Sequence, residues 1–212
     1  MKNYFIWPRR CPHCGRARTW RVGIIELLFI AAAVAIWISP PARLSFLVAM
    51  LLLVYFGVVC VIDIEHRLIL HPVSLAGGVI GFIIGLWLHG FWFTILGGIA
   101  GFGIMLLLYV LGAGFVRVLA RLRGEAASEE ALGFGDVNLS GVLGFLLGWP
   151  GILAGLILTI LLAGLVSFGY LLLMLVKGKY RSSLAIPYGP FLVSSAVILL
   201  YFPRIIQTWA GW

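Results

Sequence analysis

Seven carboxylates are spread through a chain of 212 residues of which only 10% are charged, and two of them stand apart. Asp63 closes the apolar run LLLVYFGVVCVI, and Asp136 opens VNLSGVLGFLLG, behind Gly133 and Gly135 in the stretch GFGDVNL. Glu125, Glu129 and Glu130 fall instead in a polar loop beside Arg117, Arg121 and Arg123, and Glu26 sits one turn into the first apolar run. An acid held against a long apolar run is costly to ionise unless it is paired, hydrated or used. The plain account of Asp136 is a cap on the helix that follows, accepting free N–H groups and complementing the dipole. The chemical account needs both acids. Two carboxylates brought together do not both ionise easily, so the pair keeps one proton. Such a pair activates water: the ionised member takes a proton as the water attacks a carbonyl carbon, and the protonated member hydrogen-bonds the carbonyl oxygen. Glycines at 133 and 135 favour this account, because they free the backbone before the acid and leave room for another chain to approach. The four histidines, at 13, 66, 71 and 89, have no HExxH spacing, and no Ser/His or Cys/His set competes.

The elements that must position these acids are membrane helices. The residues are 63% hydrophobic, mean hydropathy is +1.14, and several apolar runs approach the roughly 20 residues that cross a bilayer. The runs predict helices at 22–39, 44–62, 73–92, 93–116, 137–148, 151–176 and 187–203, with Gly148, Trp149 and Pro150 as the turn inside the apolar stretch 137–176. The expected fold is an all-α polytopic membrane bundle of about seven transmembrane helices. Of fifteen Lys and Arg, all but Arg43 and Arg204 fall on one face if the N-terminus is cytoplasmic. That bias fixes the orientation and puts Asp63 and Asp136 at cytoplasmic helix ends. It also accounts for a pI near 9.9 without nucleic acid. The expected division is a short cytoplasmic segment at 1–21, which lacks the order of a cleaved signal, a membrane-embedded domain at 22–203 and a short non-cytoplasmic tail at 204–212. Glycines four apart, at 77, 81 and 85, at 97 and 101, and at 151 and 155, are spaced for close helix packing in lipid.

The Asp at the end of CVIDIEHRLIL, the GxGD of GFGDVNL and the later IPYGPFL together resemble the type IV prepilin leader peptidases, a membrane aspartyl protease family. The likeness runs from about Glu26 to Pro190. It implies that Asp63 and Asp136 are the catalytic pair and that the substrates are prepilins or pseudopilins of type II secretion. These carry a short basic leader cut on the cytoplasmic side, just before a hydrophobic helix that remains in the lipid bilayer. It further implies a prokaryotic cytoplasmic (inner) membrane and no cofactor for the peptidase. Glu65, beside His66, becomes a candidate contact for the basic leader, and Gly133 and Gly135 candidate contacts for the extended cleavage site. Pro187, Gly189 and Pro190 are expected to shape the start of the last helix.

The chain departs from the family pattern at Asn138, where many members have Lys, and at Leu70 and His71, where they have Pro-Asp or Pro-Asn. Bifunctional members also carry an extra N-terminal helix and two CxxC pairs, and methylate the new N-terminus with S-adenosylmethionine. Here one pair is present, Cys11 and Cys14 in CPHCG, so methyl transfer is not expected. Cys11 and Cys14 supply two of the four ligands of a closed zinc site, and a second copy in a homodimer would complete it; the simpler reading is a metal-free pair of cytosolic thiols. Cys60 reads as a small packed side chain. Two rival readings are a presenilin-like intramembrane aspartyl protease and a non-proteolytic proton-coupled carrier or assembly factor. The first expects Tyr where Ile62 stands and Pro-Ala-Leu where Pro-Tyr-Gly-Pro stands. The second expects its acids near the bilayer midplane.

Overall fold

A computed structural model describes residues 20–66, 70–123, 133–176 and 187–202. Cys11, Cys14 and most of the expected segments 1–21 and 204–212 lie outside them. Among the described residues there are seven α-helices and no strand: α1 (Trp20–Ile38), α2 (Phe46–His66), α3 (His71–His89), α4 (Phe91–Arg123), α5 (Phe134–Leu147), α6 (Gly151–Val176) and α7 (Gly189–Tyr201). The count meets the sequence expectation, and several boundaries move. The break between α3 and α4 comes at Gly90, whose φ of 77° is open to glycine and closed to most other residues. α4 continues to Arg123, and α2 continues past Asp63 to His66. Gly148, Trp149 and Pro150 do form the turn between α5 and α6, with Gly148 at φ 64° and the Trp149 N–H donating to the Phe93 carbonyl at 2.9 Å.

The chain is an integral membrane protein. α2, α3, α6 and the Phe91–Val118 part of α4 are long and apolar enough to cross a bilayer, and their outer faces expose large apolar side chains such as Leu47, Leu75, Trp92 and Leu161. α1, α5 and α7 are apolar too, with shorter apolar stretches.

α5 is the axis of the bundle. Its 14 residues are buried almost throughout, packed between α3 and α4 and touched by α6 and α7. The glycine rows explain how. A Cβ at Gly85 would strike the Phe145 carbonyl, one at Gly97 the Gly144 carbonyl, and one at Gly101 the Ser140 carbonyl, while one at Gly81 would stand 3.0 Å from the Val142 carbonyl. The backbone of α5 therefore lies directly on the rows 81/85 of α3 and 97/101 of α4. With no hydrophobic drive between helices in lipid, this approach supplies dispersion contact and lets polar groups bridge. Ser140 Oγ, 3.0 Å from the Gly101 carbonyl, donates across the α4–α5 contact. The expected row at 77 behaves differently, since Gly77 makes room for the Tyr55 ring of α2. Gly155 faces Leu147 and Leu199. α7 is fastened by a buried hydrogen bond between Thr159 and Ser195, with oxygens 2.8 Å apart, and by Tyr201 Oη donating to the Ala49 carbonyl at 2.5 Å.

Because Gly144 meets the Gly97 carbonyl while Gly114 has nothing within 4 Å of its would-be Cβ, the two respond differently to a branched side chain. Gly144→Val is expected to destabilise the protein by about 2 kcal/mol or more, and Gly114→Val to leave stability near wild type, read by thermal unfolding in detergent.

Candidate functional site

Asp63 occupies the last turn of α2, three residues before its end, and Asp136 the first turn of α5, three residues after the cap residue Gly133. α2 and α5 thus meet the same end of the bundle from opposite directions. Both acids are buried, at 5% and 8% of full exposure, and they interact electrostatically. Among the described residues no other acid is buried. The two carboxylates that the sequence singled out are therefore brought together.

Each carboxylate has a backbone partner. Asp63 Oδ2 accepts a hydrogen bond from the Gly189 N–H at 3.0 Å, at the start of α7. Asp136 takes a backbone hydrogen bond from Gly133. The capping account of Asp136 is thus partly right, in a different form. Gly133 is the cap residue, and Asp136 reaches back to it from the third helical position, as an acid does in a capping box. That satisfies one N–H at the helix start without occupying both oxygens of the carboxylate.

Gly133 does not use the backbone freedom of glycine. Gly133 is extended, at φ −80° and ψ 140°, a conformation open to any residue. A Cβ there would stand 3.6 Å from Asp136 Oδ2, so its absence leaves the flank of the carboxylate uncovered. Gly135 is half-buried in the first turn, Glu65 is exposed one residue beyond Ile64, and Asn138 is half-buried next to Val137. Cys60, one turn before Asp63, is half-buried and feels its charge. Among the described residues no group of three or more His, Cys, Asp or Glu could hold a metal ion.

Gly189, expected to shape the start of the last helix, does begin α7, and it also supplies the donor to Asp63. Tyr188, half-buried beside it, lies close enough to Asp136 to interact with its charge. The sign available in advance was the spacing of the motif itself: Pro190 has no N–H, so the residue before it carries the first donor at the start of α7.

The model of the type IV leader peptidase family matches residues 47–168, more than half of the chain. The chain belongs to this family. Both acids fall inside the matched span, and Gly189 falls beyond it. Among curated proteins, the chain is similar to a prepilin leader peptidase/N-methyltransferase of Aeromonas hydrophila. The two are 27% identical over 206 residues, covering 97% of this chain and 67% of that protein. It is similar also to one of the same description from Aeromonas salmonicida (strain A449), 26% identical over 206 residues, 97% of this chain and 66% of the other. The chain thus spans about two thirds of the length of these relatives. No solved structure matches it. Membership of this family supports a protease of prepilin processing.

Proposed function

We propose that the protein is an aspartic endopeptidase that removes the basic leader from prepilins or pseudopilins at the cytoplasmic face of a prokaryotic inner membrane, with Asp63 and Asp136 as its catalytic pair. One observation carries the reading: two buried acids, from two separate helices of the matched span, interact at one end of the bundle. With a single proton between them they suit hydrolysis of a peptide bond. The ionised member takes a proton from water as the water oxygen attacks the carbonyl carbon. The protonated member hydrogen-bonds the carbonyl oxygen and supports the charge that develops there. When the C–N bond breaks, the leaving nitrogen takes a proton from the pair. The leader departs with a new carboxylate, and the hydrophobic helix keeps a new amine.

The surroundings fit such a substrate. The flank of Asp136 left open at Gly133 would admit the extended cleavage site, with Gly135 as a further contact in the same turn, and exposed Glu65 would meet the basic leader. The helical part of the precursor would remain in lipid, where its own hydrogen bonds are satisfied. A zinc ion on Cys11 and Cys14 would take part in none of these steps, and two thiolates from a second copy would complete its ligand set. The carrier reading is less well served, because Asp63 ends one helix and Asp136 begins another.

Cleavage of a model prepilin in detergent, read by mass spectrometry, tests the pair. Asp63→Asn and Asp136→Asn are each expected to lower kcat on the order of 10³-fold or more while the proteins remain folded. Either variant cutting at the wild-type rate would end the aspartate reading. In the same assay Glu65→Lys is expected to raise KM several-fold for a leader rich in Lys and Arg, with kcat kept. An unchanged KM would remove Glu65 from the substrate contacts.

A further inference from the structure

The acids come from α2 and α5, yet these two helices do not pack on each other. Something else must set the separation and angle of the carboxylates. α3 and α7 each touch both helices, and α7 brings its first turn to the acids. Its Gly189 N–H donates to Asp63 Oδ2 at 3.0 Å, and Tyr188 beside it feels Asp136. The fit on the Asp63 side leaves no slack. A Cβ at Gly189 would lie 2.6 Å from Asp63 Oδ2 and 3.0 Å from its Cγ, so the carboxylate would have to move aside. Pro190 has no N–H to compete, and the Tyr188 carbonyl already accepts from Phe191 and Leu192 as the first turn closes. The donor at 189 is therefore fixed in direction by the helix it begins, with the positive end of the α7 dipole behind it. α7 is in turn held at its middle by Thr159–Ser195 and at its far end by Tyr201–Ala49, so the helix acts as a strut.

We propose that Gly189 is a positioning residue of the peptidase reaction: its N–H holds one oxygen of Asp63, and its missing side chain lets the start of α7 seat against the carboxylate, so that the second oxygen is turned toward Asp136. This rests on the aspartate reading above. It assigns the Pro-Tyr-Gly-Pro segment a place in catalysis beyond shaping a helix.

Two measurements test it. In the first, Gly189→Ala is compared with Gly78→Ala, where a Cβ meets nothing within 4 Å. Gly189→Ala is expected to lower kcat for the model prepilin on the order of 10²-fold with KM unchanged, the cost of misplacing a catalytic group by about an ångström. Gly78→Ala is expected to cut like the wild type. In the second, Tyr is followed by Gly only at 188–189, so ¹³C-carbonyl tyrosine with ¹⁵N-glycine labels a single amide for NMR. That resonance is expected downfield in the wild type and to move upfield in Asp63→Ala. This measurement stands even if Gly189→Ala does not fold. A wild-type kcat in folded Gly189→Ala, a loss confined to KM, or an amide unmoved by Asp63→Ala would overturn the proposal. If Asp63→Asn cuts normally the aspartate reading itself fails. If Asp63→Asn is dead and Gly189→Ala cuts normally, only the positioning role does.

Discussion

The structure rests on the contact of the α5 backbone with two rows of glycine. In lipid an apolar surface gains little by leaving its surroundings for another helix, so association depends on how closely backbones approach and on what hydrogen bonds the approach allows. Gly85, Gly97 and Gly101 lie directly under carbonyls of α5, and Ser140 uses the short distance to donate to the Gly101 carbonyl. A helix of 14 residues would be a weak membrane element by itself. Enclosed by α3 and α4 it is the best buried in the bundle, and the acid in its first turn inherits that fixity.

Once α5 is set, the burial of carboxylates becomes the controlling problem. A charged group taken out of water needs compensation, and among the described residues it comes from main-chain N–H groups at helix starts. α5 supplies Gly133 to its own Asp136, and α7 supplies Gly189 to Asp63 of α2. A lysine or arginine in either place would tie the carboxylate into an ion pair and hold its proton off. A backbone N–H steadies one oxygen and leaves the other available. This is the condition a water-activating pair requires.

Much of this was legible from the residues alone, in physical terms. Long apolar runs broken by Gly-Trp-Pro give helices and a turn because nothing else satisfies the backbone in lipid. The rows at 81/85 and 97/101 announce close approach, and two acids beside apolar runs announce a site. What the sequence left open were contacts between distant segments. That Gly77 serves the Tyr55 ring while Gly81 serves α5 depends on which helix is adjacent, and spacing does not encode it. The bond from Gly189 to Asp63 spans 126 residues. Of the two properties expected of Gly133, backbone freedom is not used, since the residue is extended, and the missing side chain is what lies beside Asp136.

The level of the acids along the bundle follows from α4. Tyr109 of α4 and Phe134 of α5 pack edge to face, with ring centroids 6.0 Å apart, and Phe134 lies two residues before Asp136. From Phe91, where α4 begins, to Tyr109 the helix rises about 27 Å at 1.5 Å per residue, nearly the whole of a hydrocarbon core of about 30 Å. Beyond Tyr109 α4 still runs to Arg123, roughly 21 Å further, whereas α5 and α7 start at the level of the acids. The acid-bearing end is therefore stepped, with short helices beginning below the end of a long one. On the proposed reading this step reconciles two demands of a leader peptidase. Water and an extended peptide reach the carboxylates from the side of the bilayer where the step opens, and a hydrophobic helix stays at full depth in lipid beside α2 and α4. A pair placed at the midplane would meet neither demand, since the cleavage site would have to unwind where no water satisfies its backbone.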